Sequence, residues 1–255
     1  MRKVCVEHMS GIIKHLDVVE TEKFQECFDF FKRCINDSNR WVKNQALIQF
    51  GPIVHNIFLK IDDKQPKAYV SKLKDLVNEM CLSYYDVKMI FPADSDLDES
   101  LANKLDEYSF MQNKNDDIDK IKYYWAYNLP CALLVNGGQR FWMDHMKNIY
   151  ELLYKDILLN VRTTMAAGFK EVINLVEIEK MENPEDQQYF IAIINHYLKD
   201  SEEVVSQKVL PTMCTLVSKF PEEKKLELLD SLIKQKIETI KQMKNGRDTM
   251  ISMLE

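Results

Sequence analysis

The side chains that could do chemistry are few and scattered. Five histidines stand at His8, His15, His55, His145 and His196. None falls in an H-E-x-x-H or similar spacing of the kind a zinc site needs. His8 and His15, seven residues apart, can share one helix face, but two imidazoles are too few to hold a metal. The six cysteines, Cys5, Cys27, Cys34, Cys81, Cys131 and Cys214, include no C-x-x-C pair. Spread through apolar helical stretches, they read as small buried hydrophobes in a reducing compartment rather than as disulfide partners. No serine occupies a nucleophile elbow. The nearest approach to a phosphate loop, NGGQR at Asn136–Arg140, follows a helix instead of a strand, so it reads as a helix C-cap and turn. The expectation is therefore a chain that is not an enzyme and carries no metal or cofactor.

Composition points the same way. With 6 Gly and 7 Pro in 255 residues, turns must be few, and the abundant Met, Leu, Lys and Glu favour helix. Hydrophobic residues at 46% supply enough material for a large core. A formal net charge of −6 disfavours general nucleic-acid binding and adhesion to anionic membranes, both of which rest on Lys and Arg. No signal peptide opens the chain, and no run of about 18 apolar residues could cross a bilayer. The expected location is cytoplasmic, with the nucleus as a second compartment.

What must position any functional residue is a repeat. Asp37 precedes Val42-Lys43 by five residues, Asp116 precedes Ile121-Lys122, Asp156 precedes Val161-Arg162, and Asp200 precedes Val205-Ser206. Met1-Arg2 occupies the same apolar–cation slot. From slot to slot the chain runs 41 residues (Met1 to Val42), 40 (Ile121 to Val161) and 44 (Val161 to Val205). These are the periods of HEAT and armadillo arrays. The expected fold is all-α, an α-solenoid of HEAT/armadillo-like helical hairpins forming an α–α superhelix. First helices are expected at Thr21–Ile35, Arg140–Tyr154 and Pro184–Leu198, with Thr21 as an N-cap and Pro184 in a first turn. Second helices follow each acidic residue, whose carboxylate suits the positive end of a helix. Pro52, Pro130 and Pro211 fall inside second helices, where each removes one backbone hydrogen bond and is expected to kink the helix.

The step from Val42 to Ile121, 79 residues, breaks the rhythm. Residues 1–58 and 118–255 read as repeats, the first and last incomplete, and 59–117 as a helical and acidic insertion. Within it Ala68–Tyr85 reads as a helix, Phe91–Ser100 as an acidic loop, Leu101–Met111 as a short helix and QNKNDD as its close. Met1–Leu16, lacking a paired helix, is expected to expose an apolar flank.

Two readings attach to the repeated cations. Lys43, Lys122 and Arg162 can form a ladder, each meeting the acidic residue of a neighbouring hairpin. Alternatively Arg40, Trp41, Asn160 and Arg162 face a partner from the turns between paired helices, where Trp and Arg are favoured anchors. Trp41, Trp125 and Trp142 otherwise read as core or repeat-junction residues.

The stretches MRKVCVEHMSGIIKHL, SNRWVKNQALIQFGPIV, YYWAYNLPCALLVNGGQRFW and LYKDILLNVRTTMAAGFKEV, in that order, resemble the protein phosphatase 4 regulatory subunit 1 family. That family belongs with the HEAT-repeat scaffolds related to the 65-kDa regulatory subunit of type 2A phosphatase. The likeness covers about Met1–Phe58 and Leu101–Leu229. It implies a non-catalytic scaffold that binds a Ser/Thr protein phosphatase catalytic subunit and positions a substrate protein or a further regulatory subunit. The implied contact ridge comprises Asn39, Arg40, Trp41 and Lys43, then Leu159, Asn160 and Arg162, then Ser201, Glu202 and Glu203. Members of the family extend further at both ends, which implies that this chain is a fragment. The alternative is a HEAT module of another kind, tubulin-binding or transport-receptor-like. A tubulin binder calls for basic and aromatic residues in consecutive turns, and here only Arg40-Trp41 fits. If the acidic loop is a solvated insertion, deleting Ala93–Ser100 should leave partner affinity unchanged in a titration; a loss would make it a recognition surface.

Overall fold

The computed structural model describes residues 1–61, 65–90, 116–181 and 183–254, with side chains through Gln242. The acidic loop expected at 91–100, the short helix expected at 101–111 and most of QNKNDD lie outside the described residues. Every regular element among the described residues is helical. Helix α1 spans Arg2–His15, α2 Thr21–Ile35, α3 Arg40–Phe58 and α4 Lys67–Tyr84, followed by a 3-10 turn at Val87–Met89. Helix α5 spans Asp116–Val135. Helix α6, Gln139–Phe141, passes through a π turn at Trp142–Met146 into α7, Lys147–Tyr154. Helix α8 spans Leu159–Val176, and a 3-10 turn, Ile178–Lys180, precedes α9, Pro184–Leu198. Helices α10, Glu203–Ser218, and α11, Glu222–Leu254, complete the order. The fold is all-α, an α-solenoid of HEAT/armadillo-like hairpins. It divides into two compact units, Met1–Val161 and Arg162–Glu255, with the division in the first turn of α8.

In the first unit the second helices stack side by side, α1 on α3 and α3 on α5, while the first helices α2 and α4 pack together. Each second helix also touches its own first helix, α2 with α3 and α4 with α5. The stretch set apart at 59–117 thus contains a packed helix: α4 serves as the first helix of a hairpin completed by α5. The reason is its apolar spacing. Leu73, Leu76, Val77, Met80, Cys81 and Tyr84 fall at three- and four-residue steps and are all buried. Phe24, Phe28, Phe31 and Ile35 form the matching stripe on α2. Burying each of these large side chains stabilises the fold by about 1.5–3 kcal/mol. In the second unit α9 and α10 form a hairpin against which α11 packs, and Phe169 of α8 stacks on Phe190 and meets Tyr197 edge-on.

Pro52, Pro130 and Pro211 lie inside α3, α5 and α10, which run through them. The glycine beside Pro52 has its own task. A Cβ on Gly51 would stand 2.5 Å from Asn128 Oδ1, so glycine here leaves room for the Asn128 amide against α3. The buried Asn128 amide donates to Tyr84 Oη at 2.9 Å, and Tyr84 Oη donates to the Leu47 carbonyl at 3.1 Å. Phe50 stacks on Tyr84 with ring centroids 3.7 Å apart, and Tyr85 Oη donates to the Trp125 carbonyl. Three helices, α3, α4 and α5, are fastened at this point.

Of the cation ladder expected of Lys43, Lys122 and Arg162, the last two rungs form, and Lys43 makes no ion pair among the described residues. Lys122 Nζ meets Asp156 Oδ2 at 2.8 Å, with side chains 4% and 3% exposed. Arg162 forks onto Asp200, Nε to Oδ2 at 2.7 Å and Nη2 to Oδ1 at 3.2 Å. Arg2 meets Asp37 Oδ2 at 2.9 Å. Each carboxylate has a second role: its Oδ1 accepts the N–H two residues on, from Asn39, Leu158 and Glu202 at 2.8–2.9 Å. The acids therefore form Asx turns just ahead of the second helices. The α3 cap is Asn39, whose Oδ1 accepts from Trp41 N and Val42 N. At Ser206, where the cation is missing, Lys236 of α11 donates to the buried Ser206 hydroxyl at 2.6 Å. Asp86 forms the same turn with Lys88 N, but no ion pair reaches it among the described residues.

Several smaller expectations are settled. Pro184 occupies the first turn of α9 behind an Asn183 cap. Thr21 is no cap: Glu20 takes that position and Thr21 already lies in α2. Trp125 and Trp142 are buried, but Trp41 is 61% exposed and so is not core, because it sits in the first turn of α3 where no helix covers it. The α1 flank exposes Val4 and Ile12.

Replacing Asp156 by Asn keeps the turn but leaves the Lys122 ammonium buried without its counter-charge. We expect a loss of about 3–5 kcal/mol in urea unfolding, against less than about 1 kcal/mol for Asp86→Asn. Gly51→Ala should cost about 1–3 kcal/mol through overpacking, and much of that cost should vanish in an Asn128→Ala background.

Candidate partner-binding groove

The turn before α3 displays side chains because its backbone is held tightly. Asp37 accepts the Asn39 N–H and Asn39 accepts those of Trp41 and Val42, so Arg40 and Trp41 project from a fixed frame. The Arg40 guanidinium lies 5.4 Å from the Trp41 ring centroid, and Lys3 Nζ from α1 lies 6.0 Å from it. Both are within cation–π range.

Beside Trp41 runs a groove of about 500 Å³. Lys3 of α1 forms one rim, and Trp41, Asn44, Gln45 and Ile48 of α3 form the near wall. The far wall is Asp116, Asp119, Lys120, Tyr123 and Tyr124 of α5, and Asn160 of α8 closes one end. All belong to the unit Met1–Val161. The groove follows from the stacking of second helices, which aligns their first turns. Burial raises the Asp119 carboxyl pKa above the usual carboxylate value; Lys122 opposes the rise, while Asp156 and Asp116 add to it.

The residues singled out from sequence separate into two groups. Trp41 and Asn160 meet at the groove, with Asn39 and Arg40 in the adjoining turn and Leu159 exposed beside Asn160. Arg162 does not project outward: it is committed to Asp200. Ser201, Glu202 and Glu203 are exposed in the second unit, where Glu203 accepts from Gln207. Lys43 is half-buried and makes no ion pair among the described residues. Sequence reasoning missed Asn44, Gln45, Ile48, Tyr123 and Tyr124. Their signal was the repeat register itself: Asn44 and Gln45, like Tyr123 and Tyr124, stand two and three residues past the slots at Val42 and Ile121.

Other chemistry is thin. A second groove of about 890 Å³ lies at the far ends of α3 and α5, where Lys74 and Asp75, and Arg140 and Asp144, alternate in sign. Gly137 and Gly138 adopt positive φ there, and Gly138 N–H bonds to the Leu133 carbonyl, which makes NGGQR the C-terminal turn of α5. Burial pushes the Cys131 thiol up to about 11 and the Cys81 thiol higher still, so both stay protonated and weakly nucleophilic. Among the described residues no group of His, Cys, Asp or Glu side chains is placed to hold a metal, and no helix is long and apolar enough to cross a membrane.

Trp41→Ala should shift stability by no more than about 0.5 kcal/mol, whereas Trp125→Ala should cost about 3–5 kcal/mol; paired thermal melts check the contrast. Comparisons with models of known families, with curated proteins and with solved structures find no match.

Proposed function

We propose that this chain is a non-catalytic scaffold or regulatory subunit that holds the catalytic subunit of a Ser/Thr protein phosphatase of the 4/2A kind. The observation that carries the reading is Trp41, exposed between Lys3 and Arg40 at the head of a groove built from stacked second helices. A large aromatic flanked by cations on a rigid frame is the anchor type that dominates binding energy at protein interfaces. The likeness of four ordered sequence stretches to the regulatory subunit family supplies the identity of the partner.

The groove alone is smaller than a stable interface, which buries about 1,600 Å² in total. Tyr127 and Leu134 of α5, also exposed, extend the apolar surface along the same helix layer. Such a scaffold accelerates dephosphorylation by raising the effective concentration of substrate at the catalytic subunit, with no chemistry of its own. The metal ions of the reaction then belong to the partner. A substrate protein or a further regulatory subunit occupies another part of the array, in the cytoplasm or the nucleus.

Capture of purified phosphatase 4 or 2A catalytic subunit on the immobilised chain tests this. We expect saturable binding that Trp41→Ala weakens at least about tenfold. Failure of the unaltered, folded chain to retain either catalytic subunit would sink the reading, as would full binding by the variant.

A further inference from the structure

Helix α11 has two apolar faces. One packs on the hairpin of α9 and α10: Leu232 and Thr239 are buried there, and Lys236 is bonded to Ser206. The other carries Leu226, Ile233, Ile237 and Ile240, which are 80%, 44%, 46% and 52% exposed. On a regular helix these four fall within about 60° of arc and run about 21 Å along the axis. Their successive steps of seven, four and three residues are those of a coiled-coil seam. The exposed positions of α2, by contrast, are all charged or glutamine. A row of large apolar side chains on an outer face marks a place of association.

We propose that this face binds a second copy of the chain, α11 against α11, antiparallel about a two-fold axis. What selects the occupant is the order of charge along one edge of the seam. From the helix start that edge reads Glu223, Glu227 and Asp230, then Lys234 and Lys241, all exposed. In a symmetric antiparallel pair the same edge meets itself in reverse order, so each contact occurs twice. Centred near Leu232, the pair sets Glu223 opposite Lys241 of the second copy and Asp230 opposite Lys234, with Leu226 beside Ile237. An acidic half meets a basic half, and the opposed helix dipoles add to the attraction. A parallel pair would instead bring Asp230 against its own copy along the seam, which is repulsive. Asp230 and Lys234 already pair within α11, but both are well exposed. Such a pair contributes little, so exchanging it for one between copies costs little. The proposal is independent of the phosphatase reading, because α11 contributes no residue to the groove beside Trp41.

Sedimentation of the full chain over a concentration series tests this. We expect a reversible monomer–dimer equilibrium that weakens with added salt. Ile233→Asp with Ile237→Asp should weaken dimerisation at least about tenfold while leaving helix content unchanged, since both side chains are exposed. Charge exchange then checks the occupant and its direction. One variant carries Lys234→Glu and Lys241→Glu, the other Glu223→Lys, Glu227→Lys and Asp230→Lys. Each edge then bears one sign, so each variant alone should be monomeric where the unaltered chain is dimeric, and an equimolar mixture should restore the dimer. A chain that stays monomeric throughout the series overturns the proposal. So does a dimer that persists in the double aspartate variant or in either charge variant alone, and so does a mixture that remains monomeric.

Discussion

Successive hairpins are joined by a carboxylate that does two things at once. At Asp37, Asp156 and Asp200 one oxygen orders the turn that starts a second helix, and the other holds a cation from the second helix before it. A hairpin array has no single centre, so each repeat depends on its neighbours for burial. A shared carboxylate adds direction and register to that dependence, which apolar contact alone lacks. An ion pair as buried as Lys122–Asp156 gains little net stability over an apolar pair. Its effect is selective: a slipped register would strand a charge in the core.

The centre of the first unit shows a second constraint, on distance. Gly51 leaves room for the Asn128 side chain, which reaches Tyr84, and Tyr84 in turn reaches the Leu47 carbonyl. Three helices are fixed by two hydrogen bonds and an aromatic stack, all shielded from water, where such bonds are electrostatically strong. The same packing sets the spacing of α3 and α5, and so the width of the groove between their first turns.

Where a rung closes, acid and base neutralise one another and the surface is inert. Between the first turns of α3 and α5 the structure keeps an aromatic-lined recess walled by the Asn44 and Gln45 amides. Binding energy can be gained there without breaking an internal contact.

The sequence by itself determined most of the helices and the candidate ladder residues, because these depend on local periodicity: apolar residues at three- and four-residue steps and an acidic residue five before Val42, Ile121, Val161 and Val205. It placed Trp41 and Asn160 among the contact residues but could not bring them together, since 119 residues separate them. It also left α4 in an insertion, because the unusual distance from Val42 to Ile121 hides a helix that only its contacts with α2, α3 and α5 identify as part of a hairpin. Tertiary structure alone decided that Arg162 is bound to Asp200, that Trp41 is uncovered, and that Gly51 answers to Asn128. The physical reason is that lateral packing of helices is a matter of distance and direction in space, and a one-dimensional pattern records neither.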